Sequence, residues 1–278
     1  MTLSFLLVSL LVPARVSAQA GPPVQFLVKQ VIENELKADD DDHSQWMYWS
    51  RRQEKNKTET RLVIESKDGD ISELVSVNGA QLSAKERQQE EERLAHLVHD
   101  SDALQDERKK GEEDDRKARE LMQEIHQAFL FRYVGRQGRN IRLAFRPNPQ
   151  FQPATREAEV LHSMAGTMLV DAKEKRLVAL HGHMIEDVDF GFGLLGHLDK
   201  GGSFALQRQE EAPGHWKTTL IDVHLKGKAL LFKNISEQQH ELRWQFREVP
   251  EGCTAPQAVQ LLNHGAQVAV LLKPRTSK

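Results

Sequence analysis

Apolar residues recur along this chain at two spacings, and the change between them divides the sequence. Arg61 to Glu65 and Ile71 to Val77 follow the two-residue period of half-buried strands, with Asp68-Gly69 between them as a hairpin turn. Further on, Ile141, Leu143 and Phe145 alternate with Arg142, Ala144 and Arg146, and Met164 to Asp171 meets Arg176 to Ile185 across a short polar turn. Ser203 to Gln209, Trp216 to Lys226, Lys228 to Lys233 and Glu237 to Arg247 continue the series. The last strand is expected to turn Leu242, Trp244 and Phe246 to one face and Glu241, Arg243, Gln245 and Arg247 to the other.

Between the early and late strands the period becomes helical. Ser83 and Glu86 have the spacing of a capping box, in which each side chain satisfies a free amide at a helix start. Leu94, Leu97 and Val98 form one apolar stripe, and Leu121, Ile125 and Ala128 form a second. Asp100-Ser101-Asp102 and Gly111 argue for a break, so two helical segments are expected, about 84–99 and 113–131. A short helix is expected near Pro256 to Leu262, followed by a tail. The order of strands, helices and many more strands reads as an α+β fold with one large, curved antiparallel sheet.

The first twenty residues follow a different rule. Leu3 to Val12 is apolar apart from Ser4 and Ser9, and small residues follow, ending at Ala18-Gln19-Ala20. A run of this length is too short to span a bilayer but suits a secretory leader cleaved after Ala20, which implies export. The expected organisation is a leader over 1–20, one domain over 21–254 with a helical insertion at 84–131, and a C-terminal helix and tail over 255–278.

Charge sharpens this division. Lys and Arg number 38 and Asp and Glu 41, a near balance that gives no reason to expect nucleic acid. The balance is uneven along the chain: residues 84–130 hold 9 basic and 14 acidic side chains, and residues 131–278 hold 20 and 15. The helical block therefore reads as a solvated face. The single cysteine, Cys253, excludes an internal disulfide framework, and mean hydropathy of −0.57 excludes a polytopic membrane protein.

Glycines crowd one window: Gly182, Gly191, Gly193, Gly196, Gly201 and Gly202. In strands they mark bulges, bends or close backbone approaches, so the sheet is expected to bend there. The apolar residues nearby, including Phe190, Phe192, Phe204 and Leu206, suit either a cavity wall or an ordinary core.

Trp46-Met47-Tyr48-Trp49-Ser50-Arg51-Arg52 as an opening strand, the leader, the charged helical insertion, and the run from Gly166-Thr167-Met168-Leu169-Val170-Asp171 through Arg176-Leu177-Val178-Ala179-Leu180 to Phe204 carry a resemblance. Together they look like exported bacterial proteins of unassigned function, similar in strand plan to outer-membrane lipoprotein carriers and to the periplasmic envelope-stress sensor. The resemblance implies an unclosed antiparallel half-barrel, covered by helices, with a cavity that takes acyl chains. In such a site Phe204, Leu206, Leu230, Phe232, Leu242, Trp244 and Phe246 are the candidate lining residues. A periplasmic, non-catalytic protein binding a lipid, an acyl chain or an acylated partner is then expected. The alternative is an envelope structural or regulatory protein with a filled core, holding a partner through its charged helices.

The case for an enzyme rests on His181-Gly182-His183, which puts two imidazoles on one strand face near Glu186, Asp187 and Asp189. Imidazole and carboxylate are suitable metal ligands, but a lone pair at this spacing is weak and more often solvent-facing. Asp39-Asp40-Asp41-Asp42-His43 lacks the glycine and spacing of a calcium loop and reads as a solvated turn. Serine-hydrolase, zinc-protease, phosphate-loop and dinucleotide motifs are absent from the sequence, and no cofactor is called for.

Overall fold

The computed structural model describes residues 24–190, 196–229 and 238–269. The expected leader, most of the tail, and Leu230 and Phe232 lie outside the described residues, as do Gly191, Gly193 and Phe192. The chain begins with α1 (Val24–Asp41), then β1 (Gln45–Glu54), β2 (Lys57–Ile64), β3 (Ile71–Val77) and β4 (Ala80–Gln81). Two helices follow, α2 (Ala84–His99) and α3 (Ser101–Ala128), then β5 (Phe129–Gln137), β6 (Asn140–Pro147), α4 (Arg156–His162), β7 (Met164–Asp171) and β8 (Leu177–Met184). The remainder is β9 (Val188–Phe190), β10 (Gly196–Leu198), β11 (Ser203–Ala212), β12 (His215–His224), β13 (Gly227–Ala229), β14 (Gln238–Val249) and α5 (Ala255–Ala269).

Among the described residues eleven strands form one antiparallel sheet in the order β4-β3-β2-β1-β14-β12-β11-β8-β7-β6-β5, which is not closed into a barrel. Strands β9, β10 and β13 form a small second sheet. The expected α+β class with a large antiparallel sheet is therefore what the chain adopts. Register shifts at Met47/Trp49, Thr60/Arg61, Tyr133/Gly135, Leu169/Val170 and Gln207/Arg208 mark bulges, each of which bends its strand.

The sheet order explains the charged helices. Strand β4 ends at one edge and β5 starts the other, so the connection must travel the full width of the sheet, about 48 Å at strand spacing. The 28-residue α3 is about 42 Å long and makes most of that crossing. Its start packs through Leu104 with a core of Leu62, Ile64, Ile71, Leu94 and α5, on one face of the sheet. Its end packs through Met122, Ile125 and Ala128 with a second core on the opposite face, formed by α1 and strands β5 to β8.

The expected break over 100–112 is thus reduced to one residue. Asp100 closes α2 and opens α3, its carboxylate accepting from the N–H groups of Asp102 and Ala103 at 3.0 Å. Gly111 stays helical, supported nearby by the exposed i,i+4 pairs Arg108–Glu112, Glu113–Lys117 and Arg116–Glu120. The capping box of Ser83 and Glu86 forms as expected.

Helix α1 was not among the sequence-derived elements. Leu27, Val28, Val31 and Ile32 make its buried stripe, against Phe129, Leu143, Met168 and Val170. The aspartate run is not a turn: Asp39, Asp40 and Asp41 are the last residues of this helix. Acidic groups oppose the dipole at a helix C-terminus, and Arg119 of α3 offsets them through contacts of 2.8 Å to Asp39 and 2.7 Å to Asp40.

Candidate functional site

On the sheet face that α1 covers, the strands and helices leave a cavity of about 580 Å³ between α1, the second half of α3, and strands β11, β12 and β14. One wall is apolar, with Leu36, Met122, Leu177, Leu206, Trp216 and Phe246. Most of the charged lining residues fall into two groups.

The first group centres on Glu35, which occupies the buried stripe of α1. Its carboxylate accepts from Arg176 Nε and Nη2 at 3.0 Å each, from the Leu177 N–H at 2.6 Å, and from Arg208. Burial by itself raises the Glu35 pKa; the Arg176 hydrogen bond and the charges of Arg208 and Arg176 outweigh it and hold the carboxyl below its ordinary range. Arg208 Nε is buried without a hydrogen-bond partner among the described residues.

The second group joins the α1–β1 loop to β12. Lys217 lies 3.7 Å from both Asp42 and Glu65, with its ammonium 5.0 Å from the Trp46 ring centroid. Glu65 accepts from the Trp46 N–H at 3.1 Å, yet burial pushes its pKa up to about 7. Asp70, outside the lining of this cavity, is also raised, by burial and by Asp115, against Arg243 and Lys217. Asp115 lines the cavity and keeps much of its surface accessible, so it stands on the rim.

Ser44, His215 and Asp42 are neighbours, but their geometry is not that of a nucleophilic relay. His215 Nδ1 lies 3.2 Å from Asp42 and 3.3 Å from Ser44 Oγ, so one ring nitrogen meets both partners. A relay requires the acid on one nitrogen and the hydroxyl on the other. Ser44 Oγ instead donates to Asp42 and accepts from Trp46 Nε1 at 2.6 Å, which makes the group a brace.

The candidate lining residues separate. Leu206 and Phe246 line the cavity, and Phe246 stacks on Tyr48 at 5.1 Å. Phe204 is packed into the cores, its ring over Gly182. Leu242 and Trp244 lie on the other face, where Trp244 stacks on Trp49 at 6.3 Å and Arg51 sits 5.4 Å from its ring. The expectation that Leu242, Trp244 and Phe246 share a face is therefore corrected. A bulge at Gln245, with φ of 57°, inserts one residue against β1 and moves Phe246 to the opposite side from Trp244.

His181 and His183 are exposed on the face away from the cavity. Two of the acids near them in sequence are engaged elsewhere: Asp189 pairs with His197 at 2.7 Å, and Asp187 accepts from the Lys200 N–H at 2.6 Å. Among the described residues no group of three or more His, Cys, Asp or Glu side chains is placed to hold a metal ion. Cys253 is buried, and its thiol pKa is raised by that burial and by Asp68.

The charged lining was not foreseen from sequence. Glu35 gave the one available sign, an acid at i+3 and i+4 from two apolar positions of a helical stripe. Lys217, Asp42 and Glu65 come together only through the pairing of distant strands. Comparison with family models, with curated proteins and with solved structures finds no match for this chain.

Proposed function

We propose that the protein is a non-catalytic binding protein of the cell envelope, exported by its N-terminal leader, that holds an acyl chain or the acyl group of a lipidated partner in the α1-face cavity. The observation that carries this reading is the pairing of an apolar wall, Leu36, Met122, Leu206 and Phe246, with ion-paired side chains in one cavity. That is the chemistry of an amphiphile's two ends. Its volume of about 580 Å³ lies within the range of about 300–1,000 Å³ common for small-molecule sites. Each methylene taken from water contributes about 0.8 kcal/mol, so a chain needs no covalent chemistry to stay bound.

A second reading, an envelope interaction protein with a filled core, is favoured by Phe204, which already packs into the core. Solvent extraction of the purified protein, followed by mass spectrometry, separates the two. A stoichiometric acyl-containing species supports the binding protein; an empty extract from folded protein supports the filled core.

A further inference from the structure

The two edges of the large sheet are finished differently. At the β3 edge, α2 occupies the outward backbone: Glu90 accepts from the Leu74 N–H at 2.7 Å, and Arg93 donates to the Ser72 carbonyl at 2.5 Å. At the other edge β5 has, among the described residues, β6 on one side only. Its first outward groups are met by Gln25 of α1, which donates to the Phe129 carbonyl at 2.7 Å and accepts from the Phe131 N–H at 3.4 Å. The Gln25 carboxamide thus stands where a peptide group of a neighbouring strand would stand. Alternation then points the Phe131 carbonyl and both backbone groups of Tyr133 outward, and no described residue bonds to them. Leu130, Tyr133 and Val134 are exposed beside them.

The charge along this edge has one sign. Phe129 to Pro147 contains five arginines and no acidic residue. Arg139 pairs with Asp171 at 2.8 Å, whereas Arg132, Arg136, Arg142 and Arg146 are exposed and make no ion pair among the described residues. Arg132, Arg142 and Arg146 lie on one face of the β5–β6 hairpin, beside the open backbone. A long apolar edge without a partner invites pairing with another chain. Pairing of two β5 strands about Val134 would set Arg132 of each against Arg136 of the other, which disfavours a second copy.

We propose that β5 is a docking edge that takes up an extended, acidic peptide segment of a partner protein as a twelfth strand of the sheet. Main-chain hydrogen bonds beyond the Gln25 cap supply the pairing, and the four arginines select the partner by charge. This surface is separate from the α1-face cavity and does not depend on what the cavity holds.

The test uses the full protein and nine-residue peptides, the length of β5, followed by fluorescence anisotropy. The probes are an alternating Glu/Val peptide, the same peptide N-methylated at alternate backbone nitrogens on its pairing side, its Lys/Val counterpart, and a single-stranded oligonucleotide. The acidic peptide is expected to bind, with roughly tenfold weakening on N-methylation and in the Arg132→Glu and Arg142→Glu variants, and the lysine peptide is expected not to bind. Equal binding of the N-methylated peptide, absence of binding by the acidic peptide, or tighter binding of the oligonucleotide would overturn the proposal.

Discussion

Glu35 of α1 and Arg176, the residue before β8, meet in a side-on pair with two parallel contacts of 3.0 Å. Both are nearly sealed from solvent, with side-chain exposures of 3% and 10%. Through Arg208 the same carboxylate reaches β11, so one residue of α1 ties the helix to two strands beside the cavity. The pair sets the position of the helix that roofs the site.

Glu35→Ala is expected to cost about 3–5 kcal/mol, because it leaves Arg176 buried without its counter-charge; urea denaturation reads this as a lowered midpoint. The pKa of Glu35 is depressed in the folded state, so its contribution is complete above its unfolded value of 4.5 and is lost as pH falls through the folded value. Glu35→Gln should remove that part of the acid sensitivity. An unchanged midpoint for Glu35→Ala would mean that the pair does not hold the helix.

Glu65 has the opposite sign. Its folded pKa of about 7 lies above the ordinary 4.5, so the folded state holds the extra proton between those values and stability falls as pH rises through the window. The effect is moderated because the side chain keeps 30% exposure and lies 3.7 Å from Lys217. Melting of Glu65→Gln and wild type across pH 4.5 to 7 should show the variant gaining relative stability with rising pH. A difference that stays flat would contradict the placement of this carboxyl.

Two strand glycines are fixed by close approach. A Cβ on Gly166 would lie 1.8 Å from the His181 carbonyl oxygen, and one on Gly182 would lie 2.5 Å from the Phe204 ring. Backbone cannot yield as a side chain can, so Gly166→Ala should be the more damaging, at the upper end of the about 1–3 kcal/mol typical of overpacking. Thermal melts of the two variants check the order.

Strand periodicity made most of the sheet legible, because half-buried strands write their faces into alternate residues. It failed at Phe246, where a bulge at a non-glycine residue leaves no local mark. The expected helix runs over the start of β5 because Ala128-Phe129-Leu130-Phe131 is an unbroken apolar run that suits either period. The length of α3 was missed because Asp100 and Gly111 look like breaks, whereas the crossing from β4 to β5 requires a long connection. The cavity's charges were out of reach because Glu35, Arg176 and Arg208 meet only after α1 docks.

An acyl chain held in the α1-face cavity would lie beside Leu206 and Phe246. Titration of delipidated protein with a fluorescent long-chain fatty acid tests this placement most directly, comparing wild type with Leu206→Trp, which fills the space, and Phe246→Asp, which places a charge in the wall. Saturable binding by the wild type is expected, with at least roughly tenfold weaker binding by both variants, a loss of about 1.4 kcal/mol. Equal binding by all three folded proteins, or none by the wild type, would contradict it.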